Sequence, residues 1–144
     1  SGFCVPAAET GREIGPSGWS ATASNNSMDG SEAFDGSTFY RWSTGVNQEP
    51  GMWFTLDFGS PQIFFKIVLR AYDTSYIEPD DGPALFDMYE SNDGTFTAPV
   101  KQNMPGSPLT TIHFDSAQRA RYVQFKLDAV KGKWWSINEL HVYQ

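Results

Sequence analysis

Apolar residues recur at every second position along much of this chain. Met52, Phe54, Leu56 and Phe58 fall on one side of an extended segment and Trp53, Thr55 and Asp57 on the other, the pattern of a half-buried strand. Gly59-Ser60-Pro61 reads as a turn. Beyond it Ile63, Phe65, Ile67 and Leu69 alternate with Phe64, Lys66, Val68 and Arg70, a second strand with two fairly apolar faces. Further strands are predicted at 19–24, at 86–91 closed by Asn92-Asp93-Gly94, at 112–114, at 121–127 with Val123, Phe125 and Leu127 inward, and at 140–143. Seven or so short strands, punctuated by 13 Gly and 9 Pro and with no long helical period between them, predict an all-β antiparallel sandwich. The stretches 43–51, 70–84 and 128–136 read as long irregular loops, where function concentrates.

Composition narrows the function. The 144 residues, 40% hydrophobic and 15% aromatic, suffice for one core, so 1–144 is expected to form a single module with a lead-in over 1–18 and the sandwich from about residue 19. Seventeen acidic against ten basic residues give a net charge of −7, the opposite of a nucleic-acid footprint. No apolar run approaches the ~20 residues of a membrane span. The first residues show no apolar signal core, as expected of a segment whose targeting signal has been removed. Cys4 stands alone and forms no intrachain disulfide.

Catalytic patterns are missing. His113 and His141 alternate with strand residues as surface histidines, and Glu78, Asp80 and Asp81 share one Pro- and Gly-flanked loop, which reads as a solvated charge run and not as a hydrolytic pair across a cleft. No nucleophile elbow, HExxH or P-loop appears, so the chain is not expected to be an enzyme.

From Trp19 onward the segments occur in a familiar order: the Asp35-Gly36 loop leading to Arg41-Trp42, Leu56-Asp57-Phe58-Gly59 at a strand end, the Ser91-Asn92-Asp93-Gly94 turn, Arg121-Tyr122-Val123, and the ending Ile137-Asn138-Glu139-Leu140. Together they resemble the discoidin-like sandwich of coagulation factor V/VIII type C domains. The likeness is strongest to family 32 carbohydrate-binding modules and the N-terminal module of galactose oxidase. It implies a jelly-roll sandwich and a non-catalytic glycan-binding module that targets an attached glycan-active enzyme in a secreted, cell-surface or periplasmic setting. It also implies a monomer, and as its alternative a discoidin-type adhesion or phospholipid-binding domain.

The same resemblance implies a structural Ca²⁺. Carried over position by position, Asp35 and Glu139 supply side-chain oxygens and Glu32, Ser37, Tyr40 and Asn138 backbone carbonyls. A tight Gly-containing turn that aims carbonyls inward suits such a hard cation. Tyr40 stands where the family usually has Thr, so one hydroxyl ligand is lost. Such a metal clamps the two ends of the fold and does not activate water.

A glycan site of this kind stacks a ring on a pyranose while polar groups take its hydroxyls. Trp134 occupies the stacking position of similar modules, with Trp135 beside it as core. Arg41, Ser43, Asn47, Tyr72, Asp73 and Tyr76 are the remaining ligand candidates, with Arg41 also able to form a salt bridge beneath the loop. Galactose-binding relatives carry a His where this chain has Ser43 and an Arg where it has Ala71, one residue after Arg70. The overall charge favours a neutral or amino-sugar glycan over a polyuronate, unless Arg41, Lys131 and Lys133 form a local basic patch.

Overall fold

The structure, a computed structural model, describes residues 11–73 and 81–144. Eight strands follow in order: β1 Ser20–Ala23, β2 Trp42–Gln48, β3 Trp53–Arg70, β4 Phe86–Ser91, β5 Lys101–Met104, β6 Leu109–Leu127, β7 Lys131–Ile137 and β8 Glu139–Tyr143, with a 3₁₀ helix at Ser27–Phe34 between the first two. All pairings are antiparallel. One sheet runs β1-β3-β6-β4-β5, with β8 also on β3, and β2 and β7 form a separate two-stranded ribbon.

The long strand β3 explains this arrangement. Its first half, 54–57, pairs with β1, and its last residues, 66–70, pair with β8. Between them the register against β6 shifts twice, at Asp57/Gln62 and at Phe64/Lys66. Such irregularities bend and twist a strand and let one segment serve two neighbours. The predicted turn at 59–61 is therefore an irregular stretch inside one continuous strand. The shift also reverses the alternation there: Phe64 is buried and Ile63 exposed. Likewise 112–114 and 121–127 are parts of the single strand β6.

Two further expectations change. The stretches 43–51 and 128–136 contain β2 and β7, whose ladder is broken by register shifts around Asn47, so neither shows a clean period of two. The ribbon closes the sandwich through aromatic packing. Trp42 meets Trp135 edge-on at 4.9 Å and Phe54 of β3 at 4.9 Å, and all three are fully buried. Aromatic pairs at such offset geometries add to their area burial. Around them Leu56, Phe64, Ile67, Phe86, Met88, Ile112, Phe125 and Val142 complete one core.

Residues 11–14 run along the free edge of β8: the Gly11 and Ile14 amides donate to the Gln144 and Val142 carbonyls at 3.0 and 2.8 Å, and the Gln144 amide donates to the Arg12 carbonyl at 2.8 Å. This covers an edge that would otherwise present unpaired backbone groups.

Candidate functional site

The β2-β7 ribbon positions the predicted aromatic platform. Successive residues of a strand point to opposite faces. Trp135 is fully buried against Trp42, and its neighbour Trp134 is left 43% exposed. Trp134 faces Asn47 across the ladder. The two line a pocket of about 380 Å³ together with Arg41, Asp81, Gly132 and Lys133. The Arg41 guanidinium carbon lies over the indole, 5.7 Å from its centroid, a cation–π arrangement.

Arg41 is held from below. Its Nη1 donates to Asp81 Oδ2 at 3.1 Å, and Ser136 Oγ donates to the same oxygen at 2.9 Å. The Ser136 amide donates to the Asp81 carbonyl at 2.9 Å. Asp81 is thus buried and ion-paired, which corrects its reading as part of a solvated charge run. The salt bridge expected as the alternative role of Arg41 is present, and the same side chain also faces the pocket. Gln48 is the second hidden support. Fully buried, it donates through Nε2 to the carbonyls of Gly82 at 2.9 Å and Trp134 at 3.2 Å, and its Oε1 accepts the Ala84 amide at 2.6 Å. Lys131 Nζ donates to the Gly82 carbonyl at 2.9 Å. The backbone at 81–84 is thereby fastened to the ribbon that carries Trp134. No local pattern in the sequence marks this bridge: the fold buries Gln48, and a buried amide must find partners.

Of the ligand candidates, the structure brings Arg41, Asn47 and Trp134 together. Ser43 does not line the pocket; it pairs with Ser136 in the ladder, and its carbonyl accepts Asn26 Nδ2 at 2.9 Å. Tyr72 takes a 2.6 Å hydrogen bond from Arg70 and carries that guanidinium over its ring at 5.0 Å. Asp73 accepts the Thr38 hydroxyl at 3.1 Å. Neither lines the Trp134 pocket. Tyr76, with Glu78 and Asp80, lies outside the described residues. Arg70 lines a different cavity, beside Glu139.

That second cavity, of about 350 Å³, includes Glu13, Trp19, Phe34, Gly36 and Arg70 in its wall. The 3₁₀ helix ends at Phe34, and Asp35 turns the chain by accepting the Ser37 amide at 2.9 Å, helped by Gly36 at φ +82°. From the other end of the fold Asn138 reaches in: its Nδ2 donates to the Thr38 carbonyl at 2.8 Å. Burial, reinforced by the neighbouring Asp35 carboxylate, raises Glu139 to about 7, against the opposing effect of a hydrogen bond from the Gly36 amide. Glu139 Oε2 and Asn138 Oδ1 are buried without a hydrogen-bond partner. Buried acceptors seldom stay unmet, and two beside paired carboxylates fit a cation. Among the described residues no three His, Cys, Asp or Glu cluster closely enough to hold a metal by themselves. A cation here would need backbone carbonyls as well. Glu32 is half-buried on the 3₁₀ helix and Ser37 half-buried in the turn, where its hydroxyl accepts the Phe39 amide at 3.1 Å. The Tyr40 ring is exposed, edge-on to Phe39 at 4.9 Å.

His113 is exposed, as expected. His141 is half-buried and bonds through Nδ1 to Glu13. Among the described residues no helix is long and apolar enough to cross a membrane.

Comparison with known proteins agrees with this architecture. Over 92% of its length the chain superposes on the family 32 carbohydrate-binding module of NanJ from C. perfringens, solved in complex with galactose, at 23% identity and a TM-score of 0.70, covering 98% of that chain. The module CpGH89CBM32-5 from Clostridium perfringens, in complex with GalNAc-β-1,3-galactose, matches 92% of this chain and 99% of its own, at 21% identity and a TM-score of 0.73. Chitosan-binding module 1 of a chitosanase/glucanase from Paenibacillus sp. IK-5 matches 88% and 96%, at 25% identity and a TM-score of 0.66. No curated protein matches the chain significantly. The model of the F5/8 type C domain matches residues 18–140, from just before Trp19 to just after Glu139, and the chain therefore belongs to the F5/8 type C, discoidin-like, family.

Proposed function

We propose that this domain is a non-catalytic carbohydrate-binding module that tethers an attached glycan-active enzyme to its substrate outside the cell. The observation that carries this reading is Trp134: a tryptophan held 43% exposed over a fully buried twin, in a pocket it shares with Arg41 and Asn47. An exposed ring with polar side chains around it is an arrangement that can grip a pyranose. Solved relatives of the same architecture hold galactose and GalNAc-β-1,3-galactose. Tethering raises the local substrate concentration without any chemistry in the module itself. A glycan array probed with the wild-type domain and with Trp134→Ala tests the proposal: binding to a defined subset of glycans, lost in the variant, is the expected result.

The supporting metal in this reading is a structural Ca²⁺ held by Asp35 and Glu139, with Glu32, Ser37, Tyr40 and Asn138 contributing carbonyls. When bound it supplies charge neutralisation for two adjacent carboxylates. The residues themselves tie the turn after the 3₁₀ helix to the start of β8. The module is read as a monomer.

A second reading, a phospholipid-binding discoidin domain, has one observation in its favour. Phe39 and Tyr40 form an exposed aromatic pair, 70% and 57% accessible, of the kind that marks an interaction surface. Co-sedimentation with phosphatidylserine vesicles, abolished by Phe39→Ala, would support it over the first.

A further inference from the structure

We infer that the Trp134 pocket selects a glycan bearing an anionic substituent, a carboxylate or a sulfate, read by Lys133 and the free edge of Arg41; this rests on the glycan-binding reading above. The chain as a whole is acidic, with a net charge of −7, and would disfavour such a ligand at long range. Exposed charges more than about 8 Å apart are largely screened at physiological salt, so the few groups lining the pocket decide.

Among the described residues, three charged side chains line it: Arg41, Asp81 and Lys133. The Asp81 carboxylate is withdrawn from the ligand. Its side chain is 5% exposed, and one of its oxygens already accepts both Arg41 Nη1 and Ser136 Oγ. Its charge is balanced by the guanidinium it holds. Arg41 keeps further N–H groups after that single hydrogen bond, since a guanidinium has five in a fixed fork. It is 37% exposed and fixed over the indole at 5.7 Å, so those donors are oriented before any ligand arrives. Lys133 is exposed and makes no ion pair among the described residues. Among the described residues the pocket therefore offers one uncompensated positive charge and a pre-set fork of donors beside an aromatic platform. Carboxylate and sulfate oxygens meet both with charge-assisted hydrogen bonds, about twice as strong as neutral ones. A neutral hydroxyl gains much less, and an ammonium on an amino sugar would be repelled.

The test is a glycan array printed with uronic-acid oligosaccharides and their methyl esters, sulfated and unsulfated galactose oligomers, and glucosamine oligomers, probed with wild type, Lys133→Gln and Trp134→Ala at low and high salt. Wild type should bind an acidic member on the order of tenfold more tightly than its neutral counterpart, with the ratio falling as salt rises. The uronate and sulfate arms tell which anion is meant. Lys133→Gln should lower the acidic-to-neutral ratio and weaken its dependence on salt, Arg41 supplying what preference is left. Trp134→Ala should lose both. Preference for glucosamine oligomers, or an acidic-to-neutral ratio unchanged in Lys133→Gln, would overturn the inference and leave the glycan-binding reading standing. If wild type binds nothing on the array, the glycan-binding reading itself fails, and this inference with it.

Discussion

Trp134 and Trp135 are neighbours in β7 and sit on opposite sides of it, one 43% exposed and one completely buried against Trp42. The two alanine substitutions should therefore part company. Trp135→Ala empties the centre of the ribbon-to-sheet packing and should cost ~3 to 5 kcal/mol of stability. Trp134→Ala removes an exposed ring and should change stability by under ~0.5 kcal/mol while removing measurable glycan binding, because a central aromatic anchor carries a large share of a modest affinity. Thermal melts and calorimetric titration of both variants check this. Loss of ligand in neither variant would place the binding face elsewhere.

Asp81 should behave as a positioning residue. Asp81→Asn keeps the shape but loses the ion pair that fixes Arg41 over Trp134, and one side of it is open to solvent, so the stability loss should stay near ~1 kcal/mol. Glycan affinity should fall more than stability does. Its salt dependence should change as well, since Arg41 then swings free; a variant whose affinity and salt slope both match wild type would deny Asp81 this role.

The strands of the larger sheet were legible because apolar residues alternate in the sequence: Val123, Phe125 and Leu127 are buried between exposed or half-exposed neighbours, and Phe54 and Leu56 are buried on either side of the polar Thr55. Trp134 and Asn47 were legible as candidates because Trp134 stands at the stacking position of similar modules and Asn47 is a polar residue of a neighbouring loop, and the structure brings the two into one pocket. What escaped was geometry that no local period encodes. The register shifts in β3 and around Asn47 disguise one strand as two and two strands as loops. Asp81 sits in a run of carboxylates and is singled out by partners far away in the chain, Arg41 at 40 positions and Ser136 at 55. Ser43 follows Trp42 in sequence, yet its backbone is committed to Asn26 and Ser136, so adjacency to a site residue did not bring it into the pocket.

Acidity should tune stability through Glu90. Burial alone raises this carboxyl to about 7, and its Oε2 has no hydrogen-bond partner. The folded protein then holds the Glu90 proton more tightly than the unfolded chain does. Stability is highest below the unfolded value near 4.5 and falls as pH rises towards 7, where the folded group ionises. Glu90→Gln should flatten that part of the curve and stabilise the domain at pH 8. Urea unfolding at pH 5 and pH 8 measures both; equal pH slopes in wild type and variant would contradict the assignment.

At the sheet's irregular stretch, Gly59 and Asp57 should resist substitution. Gly59 has φ +84°, and a Cβ there would lie 2.7 Å from the Gly18 carbonyl oxygen. Asp57 accepts the Gly59 amide at 2.7 Å and takes both Nε and Nη2 of Arg121, at 2.9 and 3.1 Å. The Arg121 hydrogen bond holds its carboxyl below the usual range, so this contribution is present above about pH 4 and lost as pH falls through the lowered value. Gly59→Ala should cost more than ~1 kcal/mol, and Asp57→Asn about 1 kcal/mol, since the ion pair is partly exposed. Neither should alter glycan affinity, which separates this stretch from the binding pocket.

Calcium gives the prediction with two opposed readouts. Without metal, Glu139 is raised to about 7 by burial and by the facing Asp35 carboxylate, so above pH 7 the pair is a source of repulsion. Glu139→Gln should therefore stabilise the metal-free domain at pH 8, where one of the two charges has gone. The same substitution should abolish the gain that calcium gives wild type, which by mass action is about 2.7 kcal/mol at a hundredfold excess over Kd. Asp35→Asn should show the same crossed pattern. Melting curves in EDTA and in millimolar CaCl₂, for wild type and both variants, resolve it. A wild-type curve indifferent to both additions would remove the cation from this junction and leave Asn138 Oδ1 and Glu139 Oε2 as buried acceptors served by water.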